Sequence, residues 1–387
     1  MRRIVSLGVL GVCILMVACR FSSQYNLSGN LTGINSDTLL IRSYNIDPFS
    51  EPVVRTDTVP LKKGDFKLQL EGNNLKRVMI MEKPSLVPDA RGRIPAFSMK
   101  SVSFILLPGK KIVINGTLDE YTLSGDTIYD IYSRLQRQKN VYVHKLDSLN
   151  SICAKMGQEG VPEDSIRTVY APAEKWMNAM NEITIRYIKQ HSDQDISVFL
   201  LAQSSLDLEV VDSLLGLISE DARKGVLQPL YEDIRIKCDK EKVRRGASLI
   251  VKEGALAPTF TLKNIGGKDF SLASLKGKYV VLDFWGSWCS WCIKGLPDLK
   301  KSYAKYKDKV EFVGVACNDT EEKWRKAVKE YDIPWINVRN VGDTDVAVMY
   351  GISGYPTKFL IDREGYILKK VVGENSSFYD YLDEILR

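Results

Sequence analysis

The stretch FWGSWCSWCIKGLP, residues 284–297, closes an apolar run, KYVVLDFWG, that is the strongest constraint in the chain. A run of this length, rich in β-branched and aromatic residues, predicts a strand buried on both faces. After it, Leu296, Leu299 and Tyr303 recur on one face of a helix starting at Cys289, with Pro297 as a predicted kink. Cys289 and Cys292 therefore fall at a strand-to-helix turn. Two cysteines with two residues between them fit a redox pair, half of a zinc site or a chance pairing, and their placement weighs among the three.

At such a turn the first helical amides are unpaired and the positive end of the helix dipole points at the Cys289 sulfur, which favours its thiolate. The thiolate is the form that attacks a disulfide. Cys292, one turn further in, is placed to attack the resulting mixed disulfide and release its other half. A structural zinc needs a second pair of ligands. Cys153, Cys238 and Cys317 are scattered and offer none, and His144 and His191 lie far apart without partners at metal spacing. No metal is expected. Cys317, after an apolar strand, reads as a buried inert thiol.

The other end of the chain differs in kind. Met1-Arg2-Arg3 precedes an apolar run from Ile4 to Val17, shorter than the ~20 residues of a spanning helix, which ends at LMVAC. This resembles a bacterial lipoprotein signal, 1–18, with Cys19 as the lipidated first residue and 19–23 as anchor and tether. A simple secretory signal is the alternative, and either predicts export. Beyond Arg20 the longest apolar stretches have strand length. The net charge of +6 over 387 residues is not gathered into an arm or stripe, so no nucleic-acid partner is expected.

Residues 24–118 alternate apolar and polar positions between turn signals (DTLLIRSY, GDFKLQL, KRVMIME, then SVSFILLPGKKIVING), which predicts a small antiparallel β-sandwich-like domain. It contains no His, no Cys and no convergent acid cluster, so a binding or spacing role is expected. Residues 119–248 turn to helical periodicity. Ile166, Val169, Tyr170, Met177, Met180 and Ile183 recur at three- and four-residue spacings, Pro172 predicts a kink or split, and Asp195 and Asp207 mark the starts of two shorter helices. From Lys252 the order strand, strand, helix, strand, helix, strand, helix, strand, strand, helix predicts an α/β domain, 252–387.

Within that domain GALAPTFTL, LKGKYVVLDFWGSWCSWC, VEFVGVACND and GISGYPTKFLIDREGYI occur in the order found in TlpA/ResA-type thiol-disulfide oxidoreductases of the thioredoxin superfamily, which this third of the chain resembles. The preceding regions resemble, more weakly, those of Bacteroidetes-type lipoproteins with an N-terminal β-rich domain. The resemblance implies a central mixed sheet flanked by helices. It makes Cys289 the exposed attacking cysteine, Cys292 the resolving one, and Asp283 a buried acid able to take the Cys292 proton. It makes Pro356 a cis-proline facing the pair, with Gly354 and Tyr355 presenting backbone to an extended substrate. Trp288 and Trp291 would form an apolar platform beside the sulfurs, whereas Trp285 reads as packing. The segment 319–349 matches the family's insertion, with Trp324, Ala327 and Val328 at core spacing. Two positions depart from the pattern. Gly295 stands where relatives carry Glu, three residues after the second cysteine, and Ser290-Trp291 fill the pair where many relatives have proline second.

The expectation is thus a periplasm-facing, membrane-anchored thiol-disulfide oxidoreductase of the cell envelope, working as a reductase on disulfide-containing proteins. No cofactor is expected: no nucleotide-binding loop accompanies the pair, so electrons would come from a membrane thiol donor. The resemblance also brings cytochrome c biogenesis into view as a setting. The alternatives are a peroxiredoxin-like thiol peroxidase, which shares the APTF opening, and a binding lipoprotein with an ancillary redox domain.

Overall fold

A computed structural model describes residues 25–49, 53–82, 101–342 and 345–386. The expected signal peptide, Cys19 and the tether lie outside them. The chain divides into two units, with the division inside one helix between Ile234 and Arg235.

In the first unit the alternating segments form β1 (Leu27–Leu31), β2 (Thr38–Asn45), β3 (Arg55–Pro60), β4 (Asp65–Leu68), β5 (Lys76–Glu82), β6 (Ser101–Leu106), β7 (Ile112–Gly116) and β8 (Tyr121–Ser124). They make two four-stranded sheets, ordered β4-β1-β7-β8 and β3-β2-β5-β6. Pairing is antiparallel as expected except between β1 and β7, which run parallel. The second sheet's strands lie between these two in sequence, and such a crossover lets the chain return in the same direction. The helices follow as α1 (Thr127–Gln158), α2 (Glu163–Tyr170), α3 (Pro172–Gln190), α4 (Asp195–Gln203), α5 (Leu208–Leu215), α6 (Glu220–Arg223) and α7 (Gln228–Ile250). Pro172 does split α2 from α3, because its ring supplies no amide and suits a first helical turn. Helix α1 is tied to the strands by buried hydroxyls: Tyr129 donates to the Ile105 carbonyl and accepts from the Leu107 amide, and Ser133 bridges the Leu123 amide and carbonyl.

The second unit opens with the hairpin β9 (Thr261–Lys263) and β10 (Asp269–Ser271). It continues as β11 (Tyr279–Trp285), α8 (Ser290–Tyr306), β12 (Val310–Ala316), α9 (Glu321–Glu330), β13 (Ile336–Arg339), α10 (Val346–Met349), β14 (Thr357–Ile361), β15 (Ile367–Val372) and α11 (Ser377–Ile385). The five-stranded sheet is ordered β13-β12-β11-β14-β15, parallel from β11 to β13 and antiparallel through β14 and β15. This is the thioredoxin-like mixed sheet with helices. The order expected from the sequence holds from α8 onward, β13 and α10 included; ahead of α8 it has two strands where the structure has three, because β9 and β10 are only three residues each and too short to show a period.

Strand alternation sorts the central residues onto two faces. Val280, Leu282 and Phe284 join one buried cluster with Phe359, Ile361 and Tyr350. Val281 and Trp285 join another with Cys289, Cys292, Leu296, Leu299, Leu360 and Phe378. Asp283 shares the parity of Val281 and Trp285, so the pleat aims it to the side that carries α8 and the cysteines.

Candidate active site

Cys289 and Cys292 are joined as a disulfide, with Cα atoms 5.3 Å apart. Cys289 is the N-cap of α8, outside the helix proper, and its Sγ accepts the Cys292 amide hydrogen at 3.1 Å. The first turn contains no acidic residue to oppose negative charge on that sulfur. The expectation of an exposed Cys289 is corrected in this oxidised state: Cys289 is 6% and Cys292 5% exposed. Exposure does not separate the two, but position does, since one sulfur sits at the free amides and the other inside the first turn.

The loop before the pair is pinned from the next strand end. Asp319, buried, accepts from the Ser287 amide at 2.7 Å and from the Ser287 hydroxyl. The Cys317 amide donates to the Trp285 carbonyl at 2.8 Å, and the Trp288 indole donates to the Cys317 carbonyl at 2.9 Å. That indole lies where a side chain on Gly286 would be, so residue 286 has no room for a Cβ. Asp319 gave no sequence signal beyond its place after an apolar strand.

The tryptophans separate by role. Trp285 is buried and donates to Asn337 Oδ1 at 3.1 Å, the packing role expected of it. Trp288, just before Cys289, is 53% exposed, and Trp291, between the two cysteines, is 61% exposed. Trp288 meets Tyr355 edge to face, and the Lys294 ammonium sits over the Trp291 ring at 4.6 Å. Tyr355, half-buried, packs against the cluster that contains both cysteines. The Tyr355–Pro356 bond is cis, and Gly354 precedes it with its carbonyl accepting from the Thr357 hydroxyl. Cys317 is fully buried, and burial pushes its thiol up to about 12.

Asp283, whose strand parity puts it on the α8 side of the sheet, is 5% exposed. Burial raises its carboxyl to about 6; Lys358 pulls the other way and Glu374 adds to the rise. Its Oδ1 accepts no hydrogen bond. Sheet register sets Lys358 on β14 directly opposite Asp283 on β11, with Nζ 3.9 Å from Oδ1. The same ammonium donates to Glu374 Oε2 at 2.6 Å, and the Tyr379 hydroxyl donates to Glu374 Oε1 at 2.6 Å. Sequence reading found Asp283 but missed Lys358 and Glu374. A lysine in an otherwise apolar run, PTKFLID, was the available signal, since a buried lysine requires a partner. Among the described residues no group of His, Cys, Asp and Glu is arranged to hold a metal, and no helix is long and apolar enough to cross a membrane.

Comparison with known proteins finds relatives over the C-terminal third of the chain. Residues 254–370 match the AhpC/TSA family. The chain is 38% identical over 139 residues to the thiol-disulfide oxidoreductase ResA of Bacillus cereus, covering 36% of this chain and 75% of that protein. It is also 38% identical over 140 residues to ResA of Bacillus subtilis, covering 35% and 76%. A solved thioredoxin domain of a thiol-disulfide oxidoreductase from Bacteroides vulgatus is 36% identical, covering 35% of this chain and 98% of that one, with a TM-score of 0.33.

Proposed function

The chain belongs to the ResA family of thiol-disulfide oxidoreductases, and on that premise we propose that it is a disulfide reductase acting on exported proteins, anchored to a membrane through lipid on Cys19. The observation that carries the direction of attack is the asymmetry of the pair: Cys289 caps α8, while Cys292 lies inside its first turn.

In the reduced enzyme the Cys289 thiolate, stabilised by the Cys292 amide and the helix end, attacks a substrate disulfide. A Cys289–substrate bond forms, the substrate S–S bond breaks, and one substrate thiolate leaves. Cys292 then gives up its proton to the acid group behind it, Asp283, and attacks the Cys289 sulfur. The enzyme disulfide forms and the second substrate thiolate leaves, so the dithiol is oxidised by two electrons and the substrate disulfide is reduced. Exposed Trp288 and Trp291 give the substrate segment an apolar surface. Gly354 and Tyr355, before the cis Pro356, offer it backbone for strand-like pairing. A membrane thiol protein restores the dithiol. The resemblance to Bacteroidetes-type lipoproteins supports the same reading, with the first unit as a binding or spacing module.

The test is reduction of insulin by the full chain with a dithiol reductant, together with trapping by Cys292→Ser. Turnover by the wild type, none by Cys289→Ser, and a Cys289-linked substrate on Cys292→Ser are expected. A wild type that consumes peroxide but reduces no disulfide would instead make the protein a thiol peroxidase.

A further inference from the structure

Gly295 is buried in α8, one turn after Cys292 and therefore on the same side of the helix. It stands where the resemblance leads one to expect a glutamate. The space beside it is not empty: a Cβ built on Gly295 would collide with the Glu374 carboxylate, meeting its Cδ and both oxygens. Glu374 enters from the segment between β15 and α11, so a carboxylate missing from the helix is supplied from a distant part of the chain. Its position is fixed at both oxygens by Lys358 and Tyr379. Its side chain is 16% exposed and that of Lys358 3%.

The charges in this cluster count toward a single proton. Asp283 and Glu374 carry two negative charges when ionised, and Lys358 between them carries one positive charge. Uptake of one proton makes the group neutral, which a buried site favours. We propose that Glu374 replaces the side chain absent at residue 295, forming with Asp283 and Lys358 one proton-accepting unit beneath Cys292. The inference rests on the dithiol mechanism above and adds a positioning residue to it. When Cys292 attacks, its S–H proton passes to the two-carboxylate unit, the Cys292–Cys289 bond forms, and the Cys289–substrate bond breaks. On re-reduction by a dithiol the proton returns to the Cys292 sulfur.

The charged and titratable groups facing the unit come from each neighbouring element: Asp283 from β11, Lys358 from β14, Tyr379 from α11, and Asp298 from α8, whose charge bears on Tyr379. Glu374 raises the Asp283 carboxyl, so removing its charge lowers the pH at which Asp283 takes up a proton.

The experiment uses the full reduced chain with Cys153→Ser as background and Ellman's disulfide as the probe. The first thionitrobenzoate released reports attack by Cys289, and the second reports closure by Cys292. Glu374→Gln, which keeps the shape and an acceptor, is expected to slow the second release about tenfold at pH 7, to shift its pH midpoint downward, and to leave the first within about twofold. Moving the carboxylate onto the helix, Gly295→Glu with Glu374→Ala, is expected to restore the second release to within about threefold of wild type, and to exceed Glu374→Ala alone. An unchanged second phase and pH midpoint in Glu374→Gln overturns the inference, as does a relocation variant no faster than Glu374→Ala. If Glu374→Gln does not fold, the relocation variant decides. A wild type that reduces insulin while those variants behave as wild type refutes the role of Glu374 alone. One that neither reduces insulin nor releases thionitrobenzoate refutes the mechanism on which it rests.

Discussion

Replacing Asp283 by Asn should make the protein more stable, by an amount that depends on pH. Asp283 is buried and its carboxyl is raised from 3.8 to about 6 in the folded state. Between those values the folded chain holds a proton that the unfolded chain has lost, so stability falls as pH rises through that window and then levels off. At about 1.4 kcal/mol per pH unit, the full cost is about 3 kcal/mol at pH 7 and about 1 kcal/mol at pH 4.5. Asn has nearly the same shape and never ionises, so it escapes the cost, and Lys358 keeps Glu374 as its partner at 2.6 Å. Five of the six tryptophans lie between residues 285 and 335, so guanidinium unfolding followed by tryptophan fluorescence reports on this unit. The midpoint of Asp283→Asn should exceed wild type by roughly 0.7 M at pH 7, with the difference shrinking to a third of that at pH 4.5. A difference independent of pH, or a loss of stability at pH 7, would refute the reasoning. The same variant should be slower in the closing step of Cys292.

Three further outcomes are expected. Trp291→Ala removes a side chain that is 61% exposed, so its stability should stay within about 0.5 kcal/mol of wild type while KM for a peptide disulfide rises and kcat holds, as steady-state kinetics would report. Asp319→Ala leaves the Ser287 amide and hydroxyl without their acceptor, and should cost roughly 1–3 kcal/mol in denaturant unfolding and slow attack by Cys289. Cys317, pushed up to about 12 by burial, should remain unmodified by iodoacetamide at pH 8 in the native chain and react once the chain is unfolded, as peptide mass spectrometry can follow.

The pair at Cys289 and Cys292, the buried strand before it and the split at Pro172 were legible because each rests on short-range rules: a two-residue pleat, a free helix end, a ring without an amide. The acid at Asp283 was legible by position, although its surroundings were not. One strand of the β9–β10 hairpin escaped because three residues carry no measurable period. The parallel pairing of β1 with β7 escaped because alternation gives the faces of a strand and says nothing of its neighbour's direction.

The sequence by itself determined where the redox chemistry sits, since the spacing of two cysteines at a helix start is a local property of the backbone. It left open which charges surround that chemistry. Gly295 read alone was a loss, a missing acid. Only the tertiary structure brought Glu374 into the same space and set Lys358 opposite Asp283. The reason is physical: the energy of a buried charge depends on what lies within a few ångströms of it, and sheet register together with the packing of α11 on α8 decides which distant residues those are.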